Sequence, residues 1–236
     1  MKIYILTRFS LPRYPPKGFT WDKSIYSHQN SEINYYKWLY DEKRLDERMR
    51  IFNHITRPSI ENQTYENYEW MFFIGQGLPD KYKKSLTEIK KSKLIIPKKY
   101  KHIGSKRFFD RKEFISIRLD DDDAIHPKYL ENIKSFNKEN QIIAPFYGKY
   151  FHLNADGTIQ AQNVTNKNYI KGCGVGCYRE NIYSLGNHAR LHEKFDVNFI
   201  KDQNMFFVSV GQHTSTNRRF DKENIKNNYT IDTLFY

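Results

Sequence analysis

Four consecutive carboxylates, Asp120-Asp121-Asp122-Asp123, stand in the run FISIRLDDDDAIHPKYLENI. Side by side they repel one another and raise each other's pKa, so the cluster needs water, donor groups or a cation to relieve it. Three uses compete. An exposed acidic turn is the plainest, since charge runs are usually solvated. A calcium loop of EF-hand type matches at Asp120, Asp122 and Glu131. It fails where the obligatory glycine would stand, because Ile125 is there and a strand pattern leads in. The third is a hard-cation site, in which oxygen ligands hold Mg²⁺ or Mn²⁺ beside a substrate phosphate.

The flanking elements favour the third use. Before the acids, Ile115, Ile117 and Leu119 alternate with Phe114, Ser116 and Arg118, the pattern of a strand. After them Pro127 suits the first turn of a helix whose Tyr129, Ile133 and Phe136 share a face. The acids then sit at the carboxyl end of a strand, where open α/β sheets bind ligands. A first strand over 2–6 would set Thr7 and Arg8 at the same edge, and Arg suits phosphate.

The remaining elements alternate. A helix is predicted over 41–57, with Leu45, Met49, Phe52 and Ile55 on one face and Pro58 at its end. A strand over 69–74 runs into Gly75-Gln76-Gly77, read as a ligand-edge loop. A helix from Pro79 and a short strand over 94–97 follow. This order predicts an α/β fold with a mainly parallel sheet. Further strands are expected over 142–150 and 206–210, with a hairpin turn at Asn154-Ala155-Asp156-Gly157. Gly172-Cys173-Gly174-Val175-Gly176 would allow backbone to approach a ligand, although it lacks the spacing of a known phosphate motif. Residues 10–37 hold Tyr14, Phe19 and Trp21 without a sustained period, which suggests a lid or binding loop, and 220–236 reads as a polar tail.

Composition bounds the partners. The 236 residues suit one domain, and a net charge of +12 will attract polyanions, phosphorylated ligands or an anionic membrane face. The lysines follow no nucleic-acid motif, so nucleic acid is not expected as a partner. Cys173 and Cys177, the only cysteines, are too few for a zinc site and are read as reduced thiols. No run approaches a membrane span or a signal peptide, so the expected location is the cytoplasm, with peripheral association with anionic membrane allowed.

Several ordered blocks carry a resemblance. ILTRF, WLYDEKRLDERMRIF, RPSIENQTYENYEW, RLDDDDAIHPKYL and FDVNFIKDQNMFF together resemble the rhamnosyltransferase family among the GT-A nucleotide-sugar glycosyltransferases, over about residues 3–217. The resemblance implies a GT-A (Rossmann-like) domain over 1–236. Asp120 and Asp122 would be the DxD pair, one toward the donor ribose and one toward Mn²⁺ or Mg²⁺. Asp121 would line the donor site, and Asp123 would support the loop. Thr7, Arg8 and Arg118 would hold nucleotide or phosphate, and His213 would complete the metal shell. Asp202 matches the general base, although Lys201 replaces the usual preceding Glu.

The implied reaction is inverting transfer of a rhamnose-like deoxyhexose. The donor would be a UDP- or dTDP-linked sugar and the acceptor a glycan or glycoconjugate hydroxyl. A glucosyl- or galactosyltransferase of the same fold is the alternative within the class. From other classes the alternatives are a metal-dependent nucleotidyltransferase and a basic nucleic-acid-binding protein. TRFSLPRYPP is not the Gly-rich loop a nucleotidyltransferase carries after its first strand, and a nucleic-acid binder has no need of four aspartates.

Overall fold

A computed structural model of the protein describes residues 1–12, 32–153, 159–165, 173–202, 207–211 and 228–229. Its strands are β1 (Lys2–Phe9), β2 (Tyr68–Ile74), β3 (Ser92–Ile95), β4 (Phe114–Arg118), β5 (Asp123–Ile125) and β6 (Gln141–Pro145). Beyond these lie β7 (Tyr147–Leu153), β8 (Ile159–Thr165), β9 (Val175–Tyr178), β10 (Asp196–Ile200), β11 (Phe207–Gly211) and β12 (Asn228–Tyr229). The α-helices are α1 (Glu32–Leu39), α2 (Glu42–Ile51), α3 (Arg57–Glu61), α4 (Asp80–Thr87) and α5 (Tyr129–Ile133).

Seven strands form the central sheet in the order β10-β6-β9-β4-β1-β2-β3. Every neighbouring pair is parallel except those made by β9, which runs antiparallel to β4 and β6. Both faces are covered. Ile3, Ile5 and Phe9 of β1 join one apolar cluster with Leu45, Phe52, Trp70 and Leu86, whereas Tyr4 and Leu6 join another with Phe73, Phe114 and Ile182. Burial on both sides explains why β1 and β2 read as near-continuous apolar runs.

A second sheet, β12-β8-β7-β11-β5, was not foreseen in the sequence. The apolar run over 142–150 is two strands in two sheets. Pro145 ends β6, and Phe146 N–H donates to Ile200 O at 3.0 Å before the chain enters β7. The hairpin expected around 154–157 agrees with the antiparallel pairing of β7 and β8, which includes Leu153 opposite Ile159; the turn itself lies outside the described residues.

Pro58 does not end its helix. Phe52–Thr56 widens into a π-helical segment, with Arg57 N–H bonded back to Phe52 O, and the helical path continues through Pro58 into α3. Part of the 10–37 stretch is helical as α1; residues 13–31 lie outside the described residues, and with them the expected lid.

Gly176 is needed by the sheet. A Cβ there would come within 2.7 Å of Ile117 Cγ2 and 2.9 Å of Ser116 O, so β9 can pass beside β4 only with glycine at that point. The Gly-rich run is therefore a packing device in its described part, not an approach for ligand.

Candidate active site at the carboxyl edge of the sheet

The acidic run joins the two sheets. β4 ends at Arg118, opposite Leu6 of parallel β1, Leu119 N–H donates to Leu6 O at 3.1 Å, and the chain then turns through 119–122 before β5 begins in the second sheet. Asp123 N–H closes that turn on Asp120 O at 3.1 Å. The predicted position of the acids, at the carboxyl end of a strand, is the observed one.

Each aspartate has its own surroundings. Asp120 lies between two guanidinium groups. Arg8 Nη2 donates to its Oδ1 at 3.2 Å, while Arg118 donates through Nε to Oδ1 at 3.3 Å and through Nη2 to Oδ2 at 2.5 Å. Burial alone would raise the Asp120 carboxyl, but Arg118 and Arg8 together outweigh it and hold the group well below the usual carboxylate range. Asp121 is buried and takes both Nε (3.0 Å) and Nη2 of Arg48. Asp122 is half-buried, and its charge is felt by Arg48 and Tyr150. Asp123 is buried within β5, opposite Ser209.

A ring of neutral groups holds the arginines. Arg8 Nη1 donates to Tyr100 Oη at 2.7 Å, and Arg118 Nη1 meets Nδ1 of His188. Tyr183 lies beneath both, 5.3 Å from the Arg8 guanidinium carbon and 5.9 Å from that of Arg118. Burial, then Arg118, pushes the His188 imidazole down to about 3, so at neutral pH it is uncharged and accepts from Arg118. Along α2, Arg44 packs over Trp38 at 4.3 Å and donates to Ser10 Oγ and Leu39 O. Burial and the neighbouring Arg48 push Arg44 down to about 10.

Some expected residues are placed differently. β1 runs three residues beyond Leu6, so Thr7 lies inside the sheet, fully buried, where its Oγ1 accepts from Trp70 Nε1 at 2.9 Å. It presents nothing to a ligand. Gly75 and Gly77 pack on Tyr40, where a Cβ on Gly75 would fall 2.0 Å from the hydroxyl oxygen. Asp202 is exposed just after β10, and its charge reaches His126 at the end of β5. His213 lies outside the described residues.

The donor set for a cation can be tested directly. Among the described residues no three His, Cys, Asp or Glu side chains converge as a metal cage. Asp120 and Asp121 are engaged by arginines. Asp122 stands next to them in the turn and keeps partial exposure. One carboxylate completed by phosphate oxygens and water is the set magnesium-type ions commonly use, so the site fits a metal that arrives with a diphosphate.

Comparison with known proteins agrees with this architecture. A family model described as "Putative rhamnosyl transferase" matches residues 2–223. The chain belongs to that family. Two crystal structures of S. aureus TarS 1-349, one in complex with UDP-GlcNAc and one with UDP, each align at TM-score 0.50 and 7% identity. They cover 91% and 89% of this chain, and 60% and 61% of theirs. The chain thus spans under two thirds of the TarS structures it matches, and the likeness is one of fold, the GT-A fold of glycosyltransferases. The inositol-1-phosphate CTP transferase from T. maritima aligns at TM-score 0.43 and 12% identity over 90% of both chains, a likeness too low to bear on chemistry. No curated protein sequence matches.

Sequence reasoning missed Arg44, Arg48, Tyr100, Tyr183 and His188. The spacing of Arg44 and Arg48, one helical turn apart in α2, was a usable signal for a charged face turned inward. Tyr100, Tyr183 and His188 stand in 3₁₀ segments with no period to read.

Proposed function

We propose that the protein is a nucleotide-sugar-dependent glycosyltransferase of metal-assisted, inverting type, acting on a rhamnose-like deoxyhexose. The observation that carries this reading is the Arg8–Asp120–Arg118 clamp beside half-buried Asp122 at the carboxyl edge of β1 and β4. Family membership supports the sugar, and two TarS structures of the same fold are complexes with UDP-GlcNAc and with UDP.

Glycosyl transfer from a diphosphate succeeds only if charge building on the departing phosphate is offset. Arg8 and Arg118 are fixed for that by Tyr100, Tyr183 and His188, so little reorganisation remains when the donor arrives. Asp120 holds the two guanidiniums apart and accepts from both. A divalent cation, held by Asp122 and the donor's own phosphates, would supply further charge neutralisation at the leaving group. Asp202 is the assigned base, taking the proton of the acceptor hydroxyl as the new bond forms. It is exposed, as a group that meets an incoming acceptor must be.

The test is a panel of UDP- and dTDP-linked sugars incubated with Mn²⁺, scored for donor hydrolysis. One deoxyhexose donor should be consumed faster than hexose donors. Consumption of glucose or galactose donors in preference would move the assignment to a hexosyltransferase of the same fold.

A further inference from the structure

The basic charge of this chain is not spread evenly. Residues 81–107 hold eleven Lys or Arg against one acid, Glu88, and so carry most of the net +12. Within that span, 90–101 contains Lys90, Lys91, Lys93, Lys98, Lys99 and Lys101 with no acid at all. This run builds β3, the outermost strand of the central sheet, and the corner that follows it. Lys90 and Lys91 meet Glu66, and Lys93 lies 3.7 Å from Glu69. Lys98 and Lys99 are exposed and make no ion pair among the described residues.

One apolar residue stands among them. Ile96 is 51% exposed and is the one large exposed hydrophobic among the described residues. Lysines on an edge strand can simply discourage pairing with another sheet. That accounts for Lys93 but not for Ile96, Lys98 and Lys99, which lie beyond β3 where there is no ladder to protect. An apolar side chain set among four to eight lysines is instead the chemistry of an anionic lipid interface: the cations meet headgroups and the hydrocarbon enters between them. Nucleic acid would use the lysines equally but gives Ile96 no role.

The corner is tied to the candidate active site. Tyr100, immediately after Lys99, accepts from Arg8 Nη1 at 2.7 Å, so the basic surface and the Arg8–Asp120 pair share one short segment. We propose that the corner at 96–99, with the basic edge of β3 behind it, docks the protein on an anionic lipid surface and so presents the carboxyl-edge site to acceptors at that surface. Docking stands independently of the transferase reading; its consequence for the acceptor rests on that reading.

The experiment is vesicle co-sedimentation of the full chain without donor, comparing phosphatidylglycerol–phosphatidylcholine vesicles with phosphatidylcholine alone, for the wild type, Lys98→Gln/Lys99→Gln and Ile96→Ser. Binding is expected only to the anionic vesicles. The double lysine variant should bind about 30-fold more weakly, from ~1 kcal/mol per lysine. Ile96→Ser should weaken binding by an amount that persists in high salt, where the lysine effect fades. Equal binding to neutral vesicles, or unchanged binding by both variants, overturns the proposal. So does a short DNA duplex that displaces the vesicles and binds Ile96→Ser as tightly as wild type, which would mark a nucleic-acid surface. Donor hydrolysis is scored separately, so failure of docking and failure of the transferase reading are distinguishable.

Discussion

Arg48 Nε donates to Asp121 Oδ2 at 3.0 Å, and its Nη2 reaches the other carboxylate oxygen, a two-point ion pair with both side chains largely withdrawn from water. The pair ties α2 to the acidic turn and so fixes the distance between the helix and the carboxyl edge of the sheet. It also gives neighbouring aspartates different roles. Asp121 is held by Arg48 and Asp120 by Arg8 and Arg118, while Asp122 stays half-buried in the turn.

Removing one member of this pair should be costly. Arg48→Met leaves Asp121 buried with its nearest partner gone, and such losses run to about 3–5 kcal/mol. Urea unfolding of Arg48→Met, Asp121→Leu and the double variant measures it. The double variant should recover part of the loss, because neither charge is then stranded.

His188 gives a pH signature. Its folded pKa, about 3, lies below the ordinary value near 6.5, so the unfolded chain binds a proton first as pH falls. The stability it contributes is complete above about pH 6.5 and declines toward pH 3, at up to ~1 kcal/mol per pH unit after allowing for its partial exposure. Unfolding curves at pH 7, 6 and 5 should show that slope in the wild type. His188→Gln should flatten it, and an unchanged slope in the variant would move the effect to other groups.

Arg118 should not tolerate lysine. Its Nε and Nη2 take both oxygens of Asp120 while Nη1 meets His188, a fork that an ammonium cannot reproduce. Arg118→Lys is expected to lower kcat/KM by ~10²–10³, the range for loss of one preorganised charge-stabilising donor. Steady-state kinetics on the preferred donor, beside a melting curve showing that the variant folds, is the check. A lysine variant with near wild-type kinetics would remove Arg118 from the reaction.

Asp202→Asn separates base from binding site. Transfer should fall by ~10²–10⁴ while donor and metal affinity stay close to normal, because the base acts on the acceptor in the transition state. Transfer assays beside calorimetric donor titrations report both quantities. Transfer at near wild-type rate would instead shift the base to Asp196 or Glu193.

The parts of this molecule that were legible in its sequence are those governed by short-range periodicity. Alternation over 114–119 and the four acids after it placed β4 and its ligand edge without three-dimensional information, and the spacing of Leu45, Met49, Phe52 and Ile55 placed the helix behind them. What escaped depends on partners distant in the chain. Thr7 looks like an edge hydroxyl until Trp70, on the neighbouring strand, is seen to hold it inside. The break of 142–150 into two strands depends on β10 and β11, which come some fifty residues later. Gly176 looks like ligand-facing glycine because nothing local reveals Ile117 against it. The arginine clamp assembles from β1, β4 and three 3₁₀ segments, and no linear spacing announces such a set.

The most direct test of the central claim, that the carboxyl edge binds a nucleoside diphosphate together with a divalent cation, is thermal stabilisation by UDP and by dTDP with and without Mn²⁺, in the wild type and in Asp122→Asn. Ligand bound to the native state alone raises the melting temperature with concentration. One nucleotide with Mn²⁺ is predicted to raise the wild-type melting temperature more than nucleotide or metal alone, and Asp122→Asn, folded and with an unchanged baseline melt, to lose the metal-dependent increment. An Asp122→Asn protein that keeps the full metal-dependent increment would contradict the claim and place the nucleotide site elsewhere on the molecule.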